Sequence, residues 1–215
     1  MIKSLVLWGS LIIGFLSLTG CESTYYATME QVGVHKRDIL KDRVEEAKES
    51  QADAQEEFRD ALEQLSALIN FDGGELQDMY EKTLDAYESS EDAANEVSER
   101  IDSIESVADA LFDEWQDELD QYTNASLKRQ SAQKLKDTER QYGKLLKSMR
   151  RAESKMAPVL SALKDNTLYL KHNLNAQAIG SLKGEYQRIK QDTELLMTEM
   201  NKAIAESEAF IATLK

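Results

Sequence analysis

Apolar and small residues recur along this chain at alternating steps of four and three, and this spacing restricts its fold more than any other feature. The first such series contains nine positions: Leu40, Val44, Ala47, Gln51, Ala54, Phe58, Ala61, Leu65 and Leu68. A seven-residue repeat keeps one stripe of a helix facing a partner helix, so the series predicts a long, packed helix.

Three further series repeat this pattern, from Leu76 to Trp115, from Leu135 to Leu163 and from Leu182 to Leu214. Apolar residues such as Val107 and Leu119 flank the seams and widen the stripe, which favours a bundle over a two-stranded coil. The chain has only one Pro and nine Gly among 215 residues, which also suits long helices. The predicted fold is all-α: an elongated antiparallel bundle of three to four long helices with coiled-coil heptad packing.

Turn signals separate the four series. They are Phe71–Gly74 with its two glycines, Tyr122–Ser126 with Asn124 or Ser126 as a helix cap, and Asn173–Asn175, the weakest of the three. These breaks predict four helices, over residues 27–70, 75–122, 126–172 and 176–214.

Pro158 lies inside the third series and allows two interpretations. A proline within a helix removes a backbone hydrogen bond and bends the helix. Alternatively, a helix begins near Ala157 with Pro158 in its first turn. The bend is preferred, because the seam passes through Met156, Val159 and Leu163 without a change of register.

The N-terminus is typical of a bacterial lipoprotein signal. Lys3 precedes an uncharged apolar run from Leu5 to Leu18, which is shorter than the roughly 20 residues of a membrane-spanning helix. The sequence Leu-Thr-Gly-Cys that ends at Cys21 resembles a lipobox, in which the cysteine becomes the lipidated N-terminus. The predicted organisation is therefore a cleaved signal peptide (1–20), a lipid-anchored tether (21–26) and a helical domain (27–215).

Lipidation at Cys21 would supply the two or more acyl chains, palmitate among them, that stable anchoring requires. Cys21 is the only cysteine, so the mature domain has no thiol for a disulfide or a metal. Glu22 follows it, and by the usual sorting rule this favours the periplasmic leaflet of the outer membrane. The inner membrane is the alternative.

Charge is divided unevenly between the predicted helices. Residues 75–122 contain seventeen acidic and two basic residues, whereas residues 126–172 contain twelve basic and four acidic residues. The second and third helices are expected to neutralise each other along the bundle. A basic strip that binds anionic lipid or glycan is the less favoured interpretation, because the whole chain carries a net charge of −14. Nucleic acid is not an expected partner.

No catalytic constellation is visible in the sequence. The chain has two histidines, His35 and His172, and lacks a metal-spaced cluster, a phosphate-binding glycine loop and a nucleophile elbow. Abundant carboxylates are expected on solvated helix faces. We therefore predict neither an enzyme nor a cofactor, and we interpret His35 as a polar helix residue near lipid head groups.

Four segments resemble a known family over nearly the whole mature chain. They are YYATMEQVGVHKRDIL, NFDGGEL, ADALFDEWQDELDQYTNASL and MAPVLSALKDNTLYLKHNLNAQAIGSL. They are similar to a family of helical lipoproteins from Gram-negative bacteria, described only as a domain of unknown function. The resemblance supports the fold and the location and implies no activity or site.

Two function classes are compatible with these features. The first is a lipid-anchored structural scaffold, spacer or protein-interaction module of the envelope, with an envelope protein as partner. The second is a binding module that holds a lipid or peptidoglycan strand in a groove between helices. Either class is compatible with a homo-oligomer. The predicted docking site for a partner is the tip where the first and third turns meet, and its residues are Phe71, Asp72, His172, Asn173 and Asn175.

Overall fold

The computed structural model describes residues 35–71, 73 and 75–214. Every regular element in these ranges is a helix: α1 (Lys36–Ile69), α2 (Leu76–Leu119), α3 (Ala125–His172) and α4 (Ala176–Thr213). The helices are about 50–70 Å long at a rise of 1.5 Å per residue. The all-α prediction is confirmed, and the three-helix alternative is wrong because the chain leaves helical geometry at Asn173 and Leu174.

The four helices form one bundle within the compact unit that begins at Lys36. Each helix packs against the next along the chain, and α4 packs back against α1. The directions alternate: Lys36 at the start of α1 donates to Glu114 near the end of α2, whereas Ser90 in the middle of α2 donates to the carbonyl of Glu57 in α1. The bundle is therefore antiparallel, as predicted.

The core follows the predicted seams closely. Every seam position of α1 and of α3 is buried, and the exceptions elsewhere are Leu76, Trp115 and Tyr186, which are half-buried. Trp115 keeps one edge near the surface because its indole N–H donates to Ser131 Oγ at 2.8 Å. Each fully buried Leu, Ile or Phe contributes about 1.5–3 kcal/mol, so the seams supply most of the stability. Knobs-into-holes packing itself stays a prediction.

Asparagine side chains cap the N-termini of two helices. Asn124 Oδ1 accepts hydrogen bonds from the backbone N–H groups of Ser126 and Leu127, and Asn175 Oδ1 accepts from those of Gln177 and Ala178. Each cap satisfies donors that have no partner inside the helix and is worth about 1 kcal/mol. Of the two caps predicted for α3, the structure uses Asn124.

Helix α3 continues through Pro158, so the interpretation that a helix begins there is wrong. Pro158 removes the donor for the carbonyl of Ser154, and both residues are exposed. Water can therefore bind the freed carbonyl, which explains why a proline is tolerated in a 48-residue helix. The predicted bend stays a prediction.

The predicted signal peptide (1–20), the predicted lipidation site Cys21, the predicted tether (21–26) and the predicted start of the first helix at residues 27–34 lie outside the described residues. His35 precedes α1 and is exposed. Among the helices that the structure describes, none has a stretch apolar and long enough to cross a membrane.

Candidate functional site

The α1–α2 turn and the start of α4 lie side by side at one end of the bundle, which we call the tip. Ile69, Phe71 and Leu76 line one wall of a groove of about 280 Å³, and Ile179, Gly180 and Lys183 line the other. The first turn thus lies beside the first turns of α4, while a direct contact between the first and third turns stays a prediction. Four of the six lining residues, Ile69, Phe71, Leu76 and Ile179, are apolar, and Lys183 is the charged residue among them.

Phe71 is half-buried in this groove, and its backbone N–H donates to the carbonyl of Leu68 at 3.2 Å. Gly73 follows with φ +147°, a conformation that side-chain-bearing residues rarely adopt, so this position requires glycine. Asp72 and Gly74 lie outside the described residues. Phe71 therefore lines the groove from a turn whose backbone conformation depends on Gly73.

The other predicted tip residues serve mainly as helix ends. Asn173 Nδ2 donates to the carbonyl of Tyr169 at 2.9 Å, and the Asn175 side chain caps α4. His172 is the last residue of α3 and is exposed, but it does not line the groove. Within the described tip, the geometry brings Phe71 together with Lys183, a residue that the sequence did not single out.

A second groove of about 280 Å³ runs between α3 and α4. It is bounded by eight residues: Ala162, Asp165, Asn166, Tyr169, Ser181, Leu182, Glu185 and Arg188. Asn166 is buried and its Nδ2 donates to the carbonyl of Ala162 at 2.6 Å. Sequence reasoning ended the α3 seam at Leu163 and missed this polar continuation, although Asn166 keeps the three-residue step.

Acidic α2 and basic α3 pair along their shared edge. Arg150 donates to Asp102 and Glu105 of α2 and to Glu153 of its own helix, while Lys128 lies 3.0 Å from Asp120. Burial alone would lower the pKa of Arg150, but these carboxylates raise it above its ordinary value. The predicted facing of opposite charges is confirmed for these residues.

The neutralisation of α3 is nevertheless incomplete. Five exposed Lys or Arg of α3 share one face of the helix and make no ion pair with another helix among the described residues; we call them the basic strip: Arg129, Lys136, Arg140, Lys144 and Lys147. Arg140 pairs only with Asp137 of the same helix, and the other four have no carboxylate within 4.0 Å in the part of the chain that the structure describes. The facing of opposite charges between α2 and α3 therefore involves Lys128, Arg150 and Lys164 but not the basic strip.

Gln51 and Glu199 are polar side chains buried in the bundle, and the seam spacing predicted the burial of Gln51 but not that of Glu199. Gln51 is fully buried in the α1 seam, and neither of its amide atoms has a hydrogen-bond partner among the described residues. Glu199 of α4 is buried with Oε1 at 2.9 Å from Arg151 Nη2, whereas its Oε2 has no partner there. The described residues contain no group of three or more His, Cys, Asp or Glu that could hold a metal ion.

The helix order and packing define an all-α protein of the antiparallel four-helix bundle class. A family model described as "Protein of unknown function (DUF2959)" matches residues 25–214, and the chain therefore belongs to that family. No curated protein and no solved structure matches the chain. The resemblance to a family of unknown function is confirmed, while lipoprotein character and Gram-negative origin stay predictions.

Proposed function

We propose that this protein is a non-enzymatic, lipid-anchored component of the bacterial envelope that spaces or scaffolds a partner protein. The sequence Leu-Thr-Gly-Cys at the end of an apolar run supports an acyl anchor on Cys21. The outer membrane's periplasmic leaflet is the proposed location, with the inner membrane as the alternative. The bundle supports a spacing role because its helices are long and its core is continuous.

The proposed working end is the tip. Lys36 contacts Glu114 near the end of α2, so the chain enters the bundle at the end opposite the tip. The tip lies about 50 Å from the start of α1, the length of that 34-residue helix. Phe71 in its groove is the single observation that carries this proposal, because a half-buried aromatic beside a cation is a common anchor for a partner.

A second candidate function is supported by the groove between α3 and α4. Tyr169 is 41% exposed at its edge, and Asn166 contributes a buried amide. Such a groove could hold an acyl chain or a glycan strand. It lies at the lower limit of typical ligand-pocket volumes, so the scaffold remains the preferred function.

Photo-crosslinking in living cells tests both candidates. A photoreactive residue would replace Lys183 at the tip, Tyr169 in the second groove, or Asn95, an exposed control on α2. The scaffold predicts one protein captured at Lys183 and none at Asn95. Lipid or glycan captured at Tyr169 alone would favour the carrier, and no capture at either site would contradict both candidates.

Substitution at the tip separates docking from a mere turn. Phe71→Ala with Lys183→Ala should abolish capture of the partner through a label at Gly180, with little change in thermal stability. His172→Ala, next to the groove but outside its lining, is the matched control and should leave capture unchanged. Full capture by the Phe71→Ala and Lys183→Ala variant would mean that the tip is only a helix reversal.

A further inference from the structure

The basic strip lies along the outward face of α3. Its residues follow steps of seven, four, four and three, which place them on one face of a helix over about 27 Å. All five are exposed, and the opposite face of α3 carries the buried seam. The strip is therefore a one-sided row of cations on a rigid support.

The surroundings leave the strip positive. Residues 128–151 contain nine Lys or Arg but only two acids, Asp137 and Glu139. The cross-helix pairs to α2 use Lys128, Arg150 and Lys164, none of which belongs to the strip. Gly143 lies within it, and a Cβ there would meet nothing within 4 Å, so the helix backbone itself is open to a flat surface.

Apolar side chains are exposed at one end of the strip. Tyr122 is 40% exposed and Leu127 is 51% exposed in and after the α2–α3 turn, which is the end of the bundle where α1 begins. The amphipathic ring of Tyr122 suits the boundary between lipid head groups and acyl chains, whereas Leu127 lies about 160° around α3 from Arg129 and does not share the face of the strip. Clusters of four to eight Lys or Arg on a helix are typical of binding to acidic lipids.

From these observations we infer that the outward face of α3 is a docking surface for a bilayer containing acidic phospholipids. The strip would contact the lipid phosphates lengthwise, with its five cations facing the bilayer. The net charge of −14 does not prevent this contact, because residues 128–151 contain only two acids and salt screens charges more than about 8 Å away. This surface is independent of any acyl group on Cys21.

A fluorescence measurement tests the inference with the full chain carrying Cys21→Ser, which has neither a lipid nor a native thiol. An environment-sensitive dye is attached after Gly143→Cys in the strip or, as a control, after Ala52→Cys on exposed α1. Vesicles consist of phosphatidylcholine alone or of an equimolar mixture with phosphatidylglycerol. We expect a blue shift only for the dye at position 143, only on the acidic vesicles, and lost in high salt.

Charge reversal provides matched variants. Lys136→Glu, Lys144→Glu and Lys147→Glu should abolish the shift and lower the acidic-over-neutral partition ratio by about 100-fold. Arg59→Glu, Lys82→Glu and Lys190→Glu change the net charge equally outside the strip and should leave both readouts unchanged.

Three results would overturn the inference. One is the same shift on neutral vesicles, and another is no shift on acidic vesicles. The third is a shift without vesicles that grows with protein concentration, since this would make a second copy of the chain the occupant of the strip.

Discussion

Arg151 on the surface of α3 holds the buried carboxylate of Glu199 on α4, with Nη2 and Oε1 2.9 Å apart. The pair is asymmetric, because the Arg151 side chain is 56% exposed and that of Glu199 only 8%. Water can solvate the arginine if its partner is lost, but it cannot reach the glutamate in the same way. The two halves of the pair should therefore respond differently to substitution.

Removing Arg151 is expected to cost more stability than removing Glu199. Arg151→Ala leaves a buried carboxylate without its partner and should lower the free energy of unfolding by about 1–3 kcal/mol. Glu199→Leu leaves only a solvated arginine and should be neutral or stabilising. Urea unfolding of both variants measures the difference, and equal losses would contradict the asymmetric burial.

Gln51 offers a test of the core. Both of its amide atoms are buried without a partner in the described structure, so Gln51→Met should stabilise the bundle by about 1–3 kcal/mol at similar shape. Gln55→Met, one turn later, is the control: Gln55 donates to Asn201 at 3.1 Å on the surface, and its loss should change stability by about 0.5 kcal/mol or less. A loss of stability in Gln51→Met would contradict this prediction and would indicate that a bound water forms hydrogen bonds with the Gln51 amide.

Tyr87 should make stability depend on pH in the alkaline range. Its ring is buried, and burial followed by the hydrogen bond to Glu91 raises the pKa of Tyr87 to about 12. The folded state thus keeps the phenol proton after the unfolded chain has lost it near pH 10. The stability that this proton contributes is complete below pH 10 and disappears as the pH rises towards 12.

Tyr87→Phe removes that titration while keeping the ring. As the pH rises from 10 to 12, the unfolding free energy of the native protein should fall relative to that of this variant. Urea unfolding at closely spaced pH values measures the difference. A constant difference across this range would mean that the phenol titrates normally in the folded protein.

Arg150 is expected to be the strongest electrostatic link between α2 and α3. Arg150→Glu replaces attractive contacts with Asp102, Glu105 and Glu153 by repulsion. It should lower the free energy of unfolding by about 1–3 kcal/mol and the melting temperature by several degrees. Added salt should restore part of the loss through screening. Arg129→Glu, at an exposed position without a carboxylate partner, should have almost no effect, and a similar loss in both variants would contradict a specific link.

The fold could be predicted from the sequence because its signal is local. The heptad spacing alone predicts that seam residues such as Phe58 and Leu145 are buried. The position of Asn175 just before a periodic run predicts that it caps the following helix. The predicted boundaries of α2, α3 and α4 agree with the structure to within three residues. Burial can be predicted from the heptad spacing within one helix, even when the neighbouring helices are not known.

The candidate sites could be predicted only in part, because they depend on how neighbouring helices approach each other. Glu199 has the spacing of an ordinary flanking residue, and only the approach of α3 at Arg151 buries it. Lys183 joins Phe71 in the tip groove because α4 packs against α1, a contact that connects residues far apart in the chain. Net charge could not show which cations of α3 lack a partner on a neighbouring helix, since that depends on how the faces of the helices meet.

Intact mass spectrometry of the membrane-extracted protein tests the proposed lipid anchor on Cys21. We expect a mature chain that starts at Cys21 and carries a diacylglyceryl group with a further acyl chain, and no such species after Cys21→Ser. A mature chain that retains residues before Cys21, or that carries an unmodified Cys21, would show that the bundle is not anchored through this cysteine.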